Sequence, residues 1–237
     1  MLLKTKNLMK AFGGLKAINK VDFELPAGEI RGIIGPNGSG KSTFFNLVSG
    51  VYDPDPGSYI EFDGHDITNE PPHKIGALGL SRTFQLLRLY QDMSVINNVM
   101  SGYHTRVKYK FFDAVIGRKK IWDQEKEIKD EMMELLSFVG LADYAELNAS
   151  ELSGGQRRLL VLARAIAMKP KLLMLDEPAA GLSPVNVDNL MKIIMQLKDK
   201  YGLTLIIIEH ILKVVMDTCN TVTVLDHGQK IAEGTPS

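Results

Sequence analysis

Residues 29–43 read EIRGIIGPNGSGKST. The stretch begins as a short apolar run and from Gly35 to Ser42 matches G-x-x-x-x-G-K-[ST]. An apolar run without alternation suits a strand covered on both faces, and TFFNLVSG, which follows from Thr43, reads as a helix. In a strand, loop and helix of this kind the glycines let several backbone N–H groups converge, and the helix N-terminus adds its partial positive charge. Gly35, Pro36, Asn37, Gly38, Ser39, Gly40, Lys41, Ser42 and Thr43 are therefore expected to cradle the phosphates of a nucleotide. Lys41 would reach the β- and γ-phosphates, and the Ser42 hydroxyl would ligate Mg²⁺.

Two further runs, KLLMLDE (171–177) and LTLIIIE (203–209), have the same unbroken apolar character and end in acids. Each is followed by a turn signal and a helix-like stretch, the alternation of an α/β fold with a parallel sheet. SYIEFDG (58–64) alternates and ends in Asp-Gly, which predicts a hairpin strand in a smaller antiparallel sheet. TVTVLDHGQKIAEG (221–234) has the same hairpin look. Between Gln85 and Ser150 strand patterns give way to helical spacing: Ile128, Met132, Leu135, Leu136 and Val139 share one stripe, with Gly140 as its stop. The expected organisation is one domain over 1–237. Residues 1–85 and 151–237 would form the α/β core with its antiparallel part, and 86–150 an inserted helical subdomain.

Composition narrows the function classes. Among 237 residues, Lys plus Arg and Asp plus Glu number 28 each, so the broad basic field of a general nucleic-acid binder is missing. Cys219 is the only cysteine, which excludes an intrachain disulfide and a cysteine-cluster metal site and fits a reducing compartment. No secretory apolar region follows Met1. The longest stretch free of Asp, Glu, Lys and Arg, Met93 to Thr105, is 13 residues, short of the ~18 or more that a spanning helix needs. A soluble chain is expected, with any membrane role exerted through a partner.

Asp176 and Glu177 close the strand LLMLDE. An apolar strand ending in a carboxylate beside a phosphate loop supplies a Mg²⁺ anchor, assigned to Asp176. Successive strand residues point to opposite sides, which frees Glu177 to orient and polarise an attacking water. His210 follows IIIE at the end of another core strand, on the side of an α/β sheet where ligands bind, and is expected to touch the γ-phosphate. NKVD (19–22) matches a guanine-reading pattern, but it precedes the phosphate loop instead of following it, and guanine specificity has no other support. LSGGQ (152–156) opens a helical run, RRLLVLARAIAM, with a Ser and two glycines that would expose N–H groups to a second phosphate site.

Taken in order, Gly35 to Thr43, Gln85, LSGGQ, Asp176, Glu177 and His210 resemble the nucleotide-binding subunit of ATP-binding cassette transporters, over nearly the whole chain. The resemblance implies a P-loop NTPase fold of the RecA-like kind, with ATP and Mg²⁺ as cofactors and ATP hydrolysis coupled to transport. It implies head-to-tail pairing with a second cassette, identical or homologous, whose nucleotide Ser153, Gly154, Gly155 and Gln156 would contact in trans. By the same resemblance Phe12 stacks on adenine, Gln85 links Mg²⁺ and water to the helical subdomain, and Ser183 stands where most members carry an aspartate. The partners implied are transmembrane permease subunits and, indirectly, a periplasmic or extracellular solute-binding protein. The location implied is the cytoplasmic face of the inner or plasma membrane, with no nucleic acid partner. RTFQLLRLYQDMSVINNVM, DEPAAGLSP and IIIEHILKVVM look most like the ATPase of branched-chain amino-acid importers. Lipopolysaccharide-export and urea-import ATPases are near relatives. The family usually adds a C-terminal helix after GTP, whereas this sequence stops at Ser237, which suggests either a shortened chain or a natural short form.

Non-transport relatives remain the competing class, but those acting on chromosomes need long heptad inserts and those acting on ribosomes carry two cassettes, and neither is present. Arg106, Lys108, Lys110, Arg118, Lys119 and Lys120 stand among Tyr109, Phe111, Phe112 and Trp122 against a single acid, Asp113. Two readings stay open for this segment. It would face an anionic lipid surface or the transmembrane partner, or it would be a solvated loop paired with the acidic helix that follows.

Overall fold

In the computed structural model, residues 1–83, 89–103 and 118–236 are described, with backbone alone for 118–124. The chain divides into two units, Met1–Gln85 with Pro170–Ser237, and Leu86–Lys169.

The first unit holds two sheets. Five strands of the larger one run parallel: β3 (Ile30–Ile34), β6 (Leu80–Arg82), β7 (Leu172–Asp176), β8 (Thr204–Ile208) and β9 (Thr221–Asp226). With β10 (Gln229–Gly234) antiparallel at one edge, the order is β10-β9-β3-β8-β7-β6. Every residue of β7 and β8 is buried, which is why these runs show no alternation: both faces are covered. The hairpin expected at 221–234 is present, and its first strand also pairs in parallel with β3, so it belongs to the core sheet.

The second sheet, in the order β2-β1-β4-β5, is antiparallel and contains β1 (Leu3–Phe12), β2 (Leu15–Leu25), β4 (Tyr59–Phe62) and β5 (His65–Asp66). The expected strand at 58–64 is β4, and Asp63-Gly64 makes its turn into β5. Arg31 of β3 reaches out of the core sheet to this layer, donating to the Glu24 carbonyl at 3.1 Å and lying over the Phe23 ring. Helix α1 (Lys41–Val48) follows β3 and buries Phe44, Phe45, Leu47 and Val48. Helices α2 (Pro72–Leu78), α6 (Pro184–Tyr201) and α7 (Leu212–Thr218) complete this unit.

The second unit is helical among its described residues, apart from one isolated pairing of Ser94 with Asn148. Helices α3 (Val95–Tyr103), α4 (Arg118–Phe138) and α5 (Gly154–Ala167) pack against one another. The predicted stripe is its core: Ile128, Met132, Leu135, Leu136 and Val139 are all buried. Asn98 is buried too, and its amide nitrogen donates to the carbonyls of Tyr90, Met93 and Ser94 while its oxygen accepts from Tyr90 N. The sequence reading closed this unit at residue 150. The structure carries this unit on to Lys169, with α5 packed on α3 and α4 inside it.

Candidate nucleotide site

The phosphate loop, Glu177 and His210 come from three neighbouring strands, β3, β7 and β8, with β8 in the middle. Each group sits just beyond the carboxyl end of its strand, the place where open α/β sheets take their ligands. They share a cavity of about 360 Å³ with Phe12 of β1, Leu15, Lys16, Ala17 and His227; from the loop, Asn37, Gly38, Ser39, Gly40, Lys41, Ser42 and Thr43 line it.

The loop's shape is fixed by glycines that admit no side chain. A Cβ on Gly35 would collide with the Leu225 carbonyl oxygen, and one on Gly40, at φ 104°, would lie 2.5 Å from the Ala17 carbonyl oxygen. Gly228 of the β9–β10 turn donates to the Ser39 carbonyl at 3.0 Å and holds the loop from outside. Lys41 folds back over the loop, its Nζ donating to the Gly35 and Pro36 carbonyls at 2.8 and 2.9 Å. Burial pushes the Lys41 ammonium below its ordinary value, and the carboxylates of Glu177 and Asp176 act in the opposite sense. Ser39 is 2% exposed, and its hydroxyl has no hydrogen-bond partner among the described residues. A buried hydroxyl without a partner is costly, and an anion in the loop would supply one. The residues present thus fit a nucleotide's phosphates.

Asp176, the last residue of β7, and Glu177, just beyond it, face different neighbours. Asp176 is buried and accepts from Arg82 Nη2 at 2.9 Å, while Arg82 Nη1 donates to Asn46 Oδ1 at 2.6 Å and to Ser49 Oγ at 3.3 Å. Glu177 has φ 49°, a left-handed conformation that turns its side chain into the cavity. There Oε1 accepts from His210 Nε2 at 2.8 Å. Phe12 is 45% exposed at the end of β1 and meets Tyr52 edge to face with centroids 5.4 Å apart.

In the helical unit, Ser153 caps α5. Its Oγ accepts from Gln156 N at 3.3 Å, and Gln156 Oε1 accepts from Ser153 N at 2.9 Å. Just upstream, Glu151 Oε1 accepts from Asn148 N at 2.8 Å, a second reciprocal turn in front of the first. A Cβ on Gly154 or Gly155 would meet no atom within 4 Å, so packing among the described residues does not call for glycine at either position.

Gln85 lies outside the described residues, as do residues 106–117 of the basic segment; of residues 118–122 only the helical backbone is described. Sequence reasoning passed over Arg82, Glu209, Leu15, Lys16, Ala17 and His227. Of these, only Glu209, the acid beside His210 in IIIEH, carried a visible signal.

A glycine-rich loop closed by a lysine, with a carboxylate and a histidine in contact across one cavity, defines a P-loop nucleotide-hydrolysing protein. A family model described as ABC transporter matches residues 18–180, and the chain belongs to that family. It is 38% identical over 235 residues to the high-affinity branched-chain amino acid transport ATP-binding protein LivG of Escherichia coli K12, covering 99% of this chain and 92% of LivG. To the BraF protein of the same description from Pseudomonas aeruginosa PAO1 it is 36% identical, with 99% and 92% covered. Among solved structures, the ADP conformation of an ATP-binding cassette of an ABC transporter superposes with a TM-score of 0.84 at 35% identity, covering 99% of this chain and 91% of that one.

Proposed function

We propose that this chain is the ATP-hydrolysing subunit of a membrane importer for branched-chain amino acids. One observation carries the enzymatic part: His210 Nε2 lies 2.8 Å from Glu177 Oε1 in the cavity that the phosphate loop and Lys41 border. Glu177 holds and polarises the attacking water, His210 fixes that carboxylate and reaches the terminal phosphate, and Lys41 leaves its loop carbonyls for the phosphate oxygens. Phe12 and Ala17 offer an apolar seat to the base and ribose. Ser42, Asp176 and Gln85 would hold Mg²⁺, which supplies charge neutralisation on the phosphates. The helix start at Ser153, Gly154, Gly155 and Gln156 serves a nucleotide held by a second cassette, which accounts for two glycines that packing among the described residues leaves unexplained. Permease subunits carry the motion across the membrane and place the chain on its cytoplasmic face, with a solute-binding protein delivering the amino acid. The transport class rests on the LivG and BraF relatives, of which this chain covers 92% each.

The deciding experiment is the solution mass of Glu177→Gln with ATP-Mg²⁺ and with ADP. A mass that doubles with ATP alone supports a nucleotide shared between two copies; a monomer with bound ATP removes the homodimer. Leucine uptake that is lost on deleting this chain and restored by the wild type, but not by Glu177→Gln, supports the substrate class. Unchanged uptake sinks it.

A further inference from the structure

Glu209 directly follows β8, beside His210, and is 3% exposed. Its Oε1 accepts from the backbone N of Ala179 at 2.7 Å, and its Oε2 accepts from the backbone N of His210 at 3.1 Å. One step earlier, Glu177 N donates to the Ile208 carbonyl at 2.9 Å. With the bond from His210 Nε2 to Glu177 Oε1, these contacts close a ring running from Glu177 through Ala179 to Glu209, on to His210 and back to Glu177. Glu177 sits at φ 49°, a conformation that a residue with a side chain keeps only when its surroundings over-determine it. The ring supplies that determination from both flanks.

We propose that Glu209 is the positioning residue that holds His210 against Glu177, an inference that rests on the ATP-hydrolysing reading above. A carboxylate suits this place because both oxygens accept, and two backbone N–H groups point at it. An apolar side chain would leave both donors unsatisfied. A glutamine of the same shape would satisfy one and set its own NH₂ against the other. Either change frees the turn at Ala179 or the backbone at His210, and the water-holding carboxylate loses its register with the histidine.

The test compares ATP turnover by the purified wild-type chain, Glu209→Gln, His210→Ala and the double variant. Glu209→Gln should lower kcat about tenfold or more, as small misplacements of reacting groups do, with KM for ATP unchanged. In the double variant it should add nothing to the loss from His210→Ala. Wild-type turnover in Glu209→Gln overturns the inference, as does a loss that multiplies that of His210→Ala, since Glu209 would then act independently of the histidine. If Glu209→Gln does not fold, Glu209→Asp, too short to span both donors, takes its place with the same expected loss. Amide hydrogen exchange needs no turnover: the Ala179 N–H should exchange about tenfold faster in the variant, and unchanged exchange also overturns the inference. A wild-type chain that hydrolyses no ATP would refute the functional reading instead, and exchange at Ala179 would still decide the role of Glu209.

Discussion

Arg82 and Asp176 form a buried ion pair, Nη2 to Oδ2 2.9 Å, with both side chains 7% exposed. Three partners use the two terminal nitrogens of this guanidinium at once, Asn46, Ser49 and Asp176, and its plane lies over the Phe45 ring. Arg82 thus joins the edge strand β6, helix α1 and the Asp176 carboxylate of β7. Arg82→Ala should destabilise the protein by about 3–5 kcal/mol, the usual cost of stranding one partner of a buried pair. Arg82→Lys, with one nitrogen in place of a planar fork, should recover little of it. Urea denaturation at neutral pH measures both.

Gly154→Ala and Gly155→Ala separate the two possible duties of the helix start. Neither glycine has a positive φ, and neither would crowd a described neighbour with a Cβ. Stability should therefore change by no more than about 0.5 kcal/mol, while ATP turnover falls sharply if a nucleotide from another copy packs against these backbones. Ser153→Ala, by contrast, should cost about 1 kcal/mol through loss of the cap. Thermal melting beside an ATPase assay resolves the three variants.

Gly40→Ala should abolish nucleotide binding. The substitution forces a side chain into φ 104° and against the Ala17 carbonyl 2.5 Å away, so the loop must open or β2 must retreat. Titration calorimetry with ATP should show no binding heat for a variant whose circular dichroism matches the wild type.

Cys219 predicts an alkaline loss of stability. Burial pushes its thiol up to about 11 from an ordinary 9.0. The unfolded chain therefore releases this proton first as pH rises, and the contribution, complete below pH 9, is lost progressively up to about pH 11. The whole effect is on the order of 2–3 kcal/mol. Denaturation curves at pH 8 and pH 11 should lie closer together for Cys219→Ala than for the wild type, because the variant lacks the titrating group; equal pH slopes would remove the assignment.

Legibility in the sequence followed locality. β7 and β8 were readable because complete burial leaves them apolar except for Asp176 and Thr204 at their ends, and β3 because Arg31 alone interrupts its apolar run; the loop after β3 was readable because each of its parts acts within one short stretch. The longest strands, β1 and β2, went unread: Lys4, Lys6, Asn7 and Lys10 interrupt the apolar set in one, Asn19 and Lys20 in the other, and repeated register shifts break the period of two on which strand recognition depends. The expected end of the helical unit, residue 150, falls short of Lys169 because tertiary packing on α3 and α4, which no local pattern shows, assigns α5 to that unit. Contacts such as Arg82 with Asp176 and Glu209 with Ala179 join residues far apart in the chain. No local pattern announces them.

The place of β3 in the sheet also sets an order of events at the ribosome. Its partners are β8 and β9, and the pairs Ile30 with Leu205 and Arg31 with Thr221 stand 205 − 30 = 175 and 221 − 31 = 190 residues apart. At about 5–20 residues per second, synthesis takes roughly 10–40 s to cover that distance. The strand that leads into the phosphate loop is made early and waits for its neighbours through nearly the whole of translation. The helical stretch and the acidic end of β7 emerge in the meantime. Affinity for nucleotide is thus among the last properties the nascent chain acquires, and its appearance times the completion of the sheet.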